Sequence, residues 1–158
     1  MKKLLVLSTL LAFSVPALAD VNCNGTIKNR TIDDNVKIQK LCNLDNVTVK
    51  GNVMLHSNAQ ATIKNSRIDG NLESKGQFSR VNAQTNRIDG NIQLEDGRNI
   101  QLSSNRVDGN IQLKDNTGNI IVKNNRVSGN LECEDNRQKP TGGSNRVSGD
   151  KEDQCRHL

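Results

Sequence analysis

Asn105-Arg106-Val107-Asp108-Gly109-Asn110-Ile111-Gln112-Leu113 is the stretch that decides how this chain folds. It appears earlier as Asn86-Arg87-Ile88-Asp89-Gly90-Asn91-Ile92-Gln93-Leu94 and later as Asn125-Arg126-Val127-Ser128-Gly129-Asn130-Leu131-Glu132-Cys133. Anchored on the glycine, copies fall at Asp34, Gly51, Gly70, Gly90, Gly109, Gly129 and Gly149, in steps of 17, 19, 20, 19, 20 and 20 residues. A period near twenty carried by β-type residues marks a solenoid, in which each repeat is one coil stacked on the last.

Positions counted from the glycine alternate. Two before it stand Ile32, Val49, Ile68, Ile88, Val107, Val127 and Val147, and two after it Val36, Val53, Leu72, Ile92, Ile111 and Leu131. Four after it come Ile38, Leu55, Ser74, Leu94, Leu113 and Cys133. Period-two alternation buries one face of a strand. A second inward set lies seven before the glycine (Ile27, Leu44, Ile63, Ala83, Leu102, Val122) and nine before it (Cys42, Ala61, Val81, Ile100, Ile120). The phase slips between the two sets, so turns must intervene. Each coil is therefore three short strands and three corners, and seven coils at ~4.8 Å make a rod about 30 Å tall. The glycine falls on the inward phase, which requires either positive φ or a site with no room for a Cβ. Asp34 takes that place in the first coil, a residue that tolerates the left-handed region better than most.

The chain has 158 residues, and Lys2-Lys3, the apolar run from Leu4 to Val15 and Ala17-Leu18-Ala19 before Asp20 read as a signal peptide over residues 1–19. Residues 20–158 are then a single domain, exported to the periplasm or beyond, with no second apolar run to hold it in a membrane. Without Lys2 and Lys3, the 22 basic residues fall to 20 against 17 acidic ones, a net charge of +3 that calls for neither nucleic acid nor any other polyanion. Phe78 is the one aromatic residue outside the signal segment, too little to fill a compact globule but enough for coils lined by aliphatics.

Four cysteines in an exported chain read as two disulfides with three possible connectivities. Cys23 and Cys42 lie 19 apart and Cys133 and Cys155 lie 22 apart, each close to one coil length. The ~4.8 Å between stacked strands suits a disulfide's ~4.4–6.8 Å Cα separation. The expected pairs are Cys23–Cys42 and Cys133–Cys155, one staple at each end. Pro140-Thr141-Gly142-Gly143 replaces the second inward strand in the last coil, and Lys151-Glu152-Asp153 the Asn-aliphatic segment. A polar, irregular end of that kind is a cap, which disfavours end-to-end stacking and leaves a monomer.

Two columns bear on function. Asn86, Asn105, Asn125 and Asn145, with Ser66 before them, stand four before the glycine, and Asn91, Asn110 and Asn130 directly after it. Asparagines stacked in register hydrogen-bond up the pile, so these and the glycines Gly51, Gly70, Gly90, Gly109, Gly129 and Gly149 are structural corners. Arg67, Arg87, Arg106, Arg126 and Arg146 stand three before the glycine on the outward phase. One before it, also outward, are Asp69, Asp89 and Asp108, then Ser128 and Ser148. The plain reading is a solvated face of ion pairs. The sharper one is that Arg126 and Arg146 lack an Asp neighbour and offer forks to an anionic glycan or lipid head group.

The stacked aspartates could instead raise one another's pKa and serve as the acids of a polysaccharide lyase or hydrolase. Against an enzyme stand the absence of long loops and of aromatics to hold sugar rings, and the interleaved arginines. His56 and His157 are out of register, so no metal or nucleophile set forms; the calcium-binding Gly-Gly-x-Gly-x-Asp repeat is missing, and no cofactor is expected. Glycosylation-type triplets begin at Asn24, Asn29 and Asn46, and there is no column of threonines such as an ice-binding face needs.

Asn125-Arg126-Val127-Ser128-Gly129-Asn130-Leu131-Glu132-Cys133, then Pro140-Thr141-Gly142-Gly143 and Gln154-Cys155, resembles a family of small secreted bacterial proteins of about this length with the same two outer cysteine pairs. More broadly, the Asn-x-Ile-x-Gly-Asn unit is similar to the repeats of right-handed parallel β-helices, including pectate-lyase-like enzymes. The narrow resemblance implies a fold and export, the broad one contact with carbohydrate by analogy of fold. The expectation is an all-β, right-handed parallel β-helix of about seven coils, serving as an exported, non-enzymatic binding or envelope-associated module. An enzyme acting on acidic polysaccharide is the alternative.

Overall fold

The computed structural model describes residues 20–158, and the expected signal peptide at 1–19 lies outside the described residues. The chain winds as a parallel β-solenoid of about seven turns. All its strand pairings are parallel, and no helix occurs among the described residues. One face carries Val53–Leu55, Leu72–Ser74, Ile92–Glu95, Ile111–Lys114, Leu131–Glu134 and Lys151–Asp153. A second carries Gln60–Lys64, Arg80–Gln84, Asn99–Ser103, Ile120–Lys123 and Thr141–Gly143. The third is built of two-residue strands: Arg67–Ile68, Arg87–Ile88, Arg106–Val107, Arg126–Val127 and Arg146–Val147. In the first two coils these segments merge into the long strands β1 (Val21–Ile32) and β2 (Val36–Val49).

From β2 onward, register keeps every column intact. Ile111 lies over Ile92 and under Leu131, Ile100 over Val81 and under Ile120, Val107 over Ile88 and under Val127. A slip of one residue would turn each of these side chains to water. As it stands, Val36, Val53, Leu72, Ile92, Ile111 and Leu131 are completely buried. Each buried Val, Leu or Ile contributes roughly 1.5–3 kcal/mol relative to exposure. Phe78 is buried at a corner, and the space over its ring belongs to Gly97, whose Cβ would come within 2.0 Å of it.

Of the two explanations for the repeat glycine, the structure selects lack of room. None of Gly51, Gly70, Gly90, Gly109, Gly129 and Gly149 has positive φ. A Cβ on Gly109 would lie 2.3 Å from Asn91 Oδ1 and 2.7 Å from the carbonyl oxygen of Gly90. Nor is Asp34 left-handed. The left-handed corner falls five before the glycine instead, at Asn29, Asn46, Asn65, Thr85, Ser104, Asn124 and Ser144, with φ between 50 and 57°. That conformation lets Asn65, Thr85, Ser104 and Asn124 donate their N–H groups to Gln84, Ser103, Lys123 and Gly143 of the following coil. A second left-handed corner holds Asn58, Asp96, Asp115 and Asp135.

Both expected disulfides are present, with Cα separations of 5.6 Å for Cys23–Cys42 and 5.2 Å for Cys133–Cys155. The geometry behind them differs from direct stacking. Cys23 pairs in register with Ile38, and Cys42 with Gly25, across a register shift in β1. Cys133 lies under Asp153, two residues short of Cys155. The bonds therefore run diagonally between coils. Likewise, Thr141–Gly143 and Lys151–Asp153 do not replace strands of the repeat but pair as strands of it. Apart from Gly142 and Gly143, whose φ of 129 and 139° has no counterpart in the aligned strands, regular pairing runs to Asp153, after which Leu158 folds back into a buried position and its carbonyl oxygen accepts a hydrogen bond from Lys151 Nζ.

Candidate functional site

Each column on the third face starts from a buried amide. Asn105 Oδ1 accepts from the backbone N (3.1 Å) and Nδ2 (3.0 Å) of Asn86. Asn125 does the same for Asn105, and Asn145 for Asn125. The remaining Nδ2 hydrogens go to backbone carbonyls of Ile63, Ala83, Leu102 and Val122. Ser66 begins the series: its N–H donates to Asn86 Oδ1, and its hydroxyl accepts from Val47 N. Asn86, Asn105, Asn125 and Asn145 are thus a buried structural spine, and the arginines are the residues immediately after them. The N–H groups of Arg106, Arg126 and Arg146 donate to the carbonyls of Asn86, Asn105 and Asn125, each at 2.8 Å. Spine and ladder together fix the five arginines one strand apart, about 4.8 Å.

The arginines and aspartates interlock in a repeating pattern. Arg87 Nε donates to Asp89 Oδ1 at 2.8 Å, while its Nη2 reaches Asp108 Oδ2 in the following coil at 2.7 Å. Arg67 makes the equivalent pair, Nε to Asp69 at 2.6 Å and Nη2 to Asp89. The hydrogen bond to Asp69 raises the Arg67 pKa, and the charges of Asp89 and Asp108 add to it. Arg106 Nε meets Asp108 at 3.1 Å. There the series stops, because the next positions are Ser128 and Ser148. Among the described residues, Arg126 and Arg146 form no ion pair, and both are exposed. A shallow cleft of ≈ 520 Å³ opens between them, lined by Asn124, Asn125, Arg126, Ser144, Asn145 and Arg146, with no carboxylate in its walls.

The structure therefore divides the five candidate arginines. Arg67 and Arg87 are wholly engaged, Arg106 half engaged, and Arg126 and Arg146 open. Asp69, Asp89 and Asp108, the candidate acids of the enzyme reading, are held in ion pairs. His157 Nε2 lies 3.1 Å from the Pro140 carbonyl oxygen, away from His56. No cluster of three metal-ligating side chains occurs among the described residues.

Sequence reasoning passed over a second buried amide series. Asn116 Nδ2 donates to Leu94 O and Asn136 Oδ1, Asn136 Nδ2 to Leu113 O and Gln154 Oε1, each at 2.7–3.0 Å. Its signal was the pair Asp115-Asn116 and Asp135-Asn136, twenty residues apart. Gln154 closes the series by donating its own amide back to Asn136 O at 2.8 Å. On the first face a half-buried row, Gln93–Gln112–Glu132, is linked at 3.0 and 2.9 Å.

No family model, curated protein or solved structure matches the chain. What is established is the parallel solenoid with its two disulfides, and that no helix among the described residues is long and apolar enough to cross a membrane.

Proposed function

We propose that the protein is an exported, non-enzymatic binding module that holds an anionic glycan or lipid head group at Arg126 and Arg146. One observation carries the reading. The column that neutralises its own arginines through three coils stops doing so at Ser128 and Ser148, leaving two guanidinium groups beside an open cleft without a carboxylate. Guanidinium forks one strand apart suit anions that repeat along a polymer or crowd a surface. Exposed charges of this kind are screened by salt, so binding should weaken as ionic strength rises. Export supplies the setting: two disulfides need an oxidising compartment.

The test is retention on immobilised polyanions over a salt gradient. The wild-type protein should elute late and the Arg126→Ala/Arg146→Ala double variant early. Equal elution of the two would end this reading. Turnover of a uronate polymer that disappears in Asp89→Ala would instead establish the enzyme.

A further inference from the structure

The aspartates of the lower coils show what the open arginines are shaped to take. Asp89 gives one oxygen, Oδ1, to Arg87 Nε of its own coil and the other, Oδ2, to Arg67 Nη2 of the coil before. Asp108 repeats this with Arg106 Nε at 3.1 Å and Arg87 Nη2 at 2.7 Å. Each carboxylate is thus gripped between two successive guanidinium groups, one oxygen apiece. The same slot exists twice more, between Arg106 and Arg126 and between Arg126 and Arg146, because the arginines stay in register: Arg87 over Arg67, Arg106 over Arg87, Arg126 over Arg106, Arg146 over Arg126. At these two slots the residue meant to fill them is Ser128 or Ser148, both exposed and too short to reach.

We propose that these two slots bind two consecutive carboxylates of a uronate-type polysaccharide, each external carboxylate taking the place that Asp89 and Asp108 fill from within. The assignment rests on the anionic-ligand reading above and narrows it. The slots lie one strand spacing apart, about 4.8 Å. An extended acidic peptide presents same-side carboxylates every second residue, at roughly 6.6 Å, and falls out of step. A uronate chain carries one carboxylate on every ring, rings repeat at a length comparable to the strand spacing, and binding at both slots requires the glycosidic torsions that turn two successive carboxylates to the same side. A phosphodiester head group also offers two free oxygens, but on a tetrahedral centre that carries two ester oxygens besides, whereas the filled slots hold the planar pair of a carboxylate.

The chain carries its own controls. Ser128→Asp/Ser148→Asp should fill both slots from within, leave every arginine in place and lower affinity for oligogalacturonate at least tenfold. Ser128→Ala/Ser148→Ala keeps the slots open and should bind within twofold of wild type. Asn99→Asp/Asn119→Asp, two exposed positions on the second face, adds the same charge outside the slots and should change affinity much less than the serine-to-aspartate pair. Asp108→Ser opens a third contiguous slot and should tighten binding of longer oligomers relative to the dimer. Affinities are measured by titration calorimetry with oligogalacturonate, sodium sulfate and anionic phosphatidylglycerol vesicles as separate probes. If Ser128→Asp/Ser148→Asp binds oligogalacturonate like wild type while Arg126→Ala/Arg146→Ala does not, the slots are refuted and the anionic site stands. If vesicles or sulfate bind and oligogalacturonate does not, the carboxylate assignment is refuted. If the double arginine variant binds every probe as wild type does, both readings fall.

Discussion

Replacing Asn105 by Ala removes the middle rung of the buried amide spine. Asn105 is 2% exposed. Its Oδ1 accepts from Asn86 N at 3.1 Å and Asn86 Nδ2 at 3.0 Å, and its Nδ2 donates to Ala83 O at 2.9 Å and Asn125 Oδ1 at 3.0 Å. Four hydrogen bonds at about 1 kcal/mol net each set the scale, and an orphaned buried N–H on Asn86 costs a further ~1–3 kcal/mol. A water entering the void returns part of that. The expected loss is about 4 kcal/mol. Asn145→Ala, at the end of the spine, breaks only three such bonds and leaves its neighbours nearer solvent, so about 2 kcal/mol is expected. Asn105→Asp keeps the shape and the acceptor but aims a second, charged oxygen at Ala83 O and Asn125 Oδ1, so it should destabilise more than Ala. Urea unfolding with the disulfides intact, followed by circular dichroism, reads all three. If Asn105→Ala stays within 1 kcal/mol of wild type, or Asn105→Asp is milder than Ala, the spine is packing rather than hydrogen bonding, and the reasoning fails.

Gly109→Ala would push a methyl against the Gly90 carbonyl oxygen at 2.7 Å, which backbone cannot yield cheaply, so ~1–3 kcal/mol of destabilisation is expected by the same denaturation assay. Replacing Cys133 and Cys155 together by Ser removes a constraint spanning 22 residues, worth roughly 3 kcal/mol in the chain-entropy description. Amide exchange at Lys151–Leu158 should then speed up before that of the central coils. Asp20 is held below the usual carboxylate pKa, chiefly by its hydrogen bond from Lys37 and then that from Asn35. A depressed folded pKa stabilises above the unfolded value of about 3.9, and the contribution is lost as pH falls through the folded one. Acidification below that point should therefore accelerate exchange of the Val21 amide, which donates to Asn35 O, and Asp20→Asn should flatten the response.

What the sequence shows directly is whatever depends on periodicity alone. The aliphatic columns, the count of coils and the outward arginines all follow from residues recurring every 17 to 20 positions, and the structure places them accordingly. What it hides depends on the neighbouring coil. Glycine and left-handed backbone are natural companions, yet Gly109 is required by Asn91 Oδ1 one coil away, while Ser104 and Thr85 take positive φ to reach carbonyls of the next coil. Neither requirement is local, so no reading of adjacent residues exposes it. The cysteines show the same limit. Their spacing gave the right partners, but the shift between Cys23 and Gly25 makes the bond diagonal. At the candidate site, the loss of Asp after the fifth coil was visible in the letters. That each Asp bridges two arginines, and so defines a slot, was not, because the second partner lies 21 or 22 residues away.

A stack of near-identical coils turns every surface position into a column of like charges, and such a column repels itself unless something answers it. Here Arg at one position and Asp two residues later answer each other both within a coil and between coils. If the arginines served solubility alone, dropping their aspartates in the last two coils would add repulsion among Arg106, Arg126 and Arg146 with nothing gained. If they guarded the end of the stack against another copy, they would sit on the terminal edge, where Lys151 and Asp153 already stand in line with Leu131 and Cys133. Arg146 does lie in the last strand of its face, but Arg126 lies one coil inside it, on the flank of a coil whose core is undisturbed, Val107 under Val127 and Ile111 under Leu131. A local rule broken where the scaffold is otherwise regular is the place to look for a ligand. The oxygens that complete the pattern at Ser128 and Ser148 then have to come from another molecule.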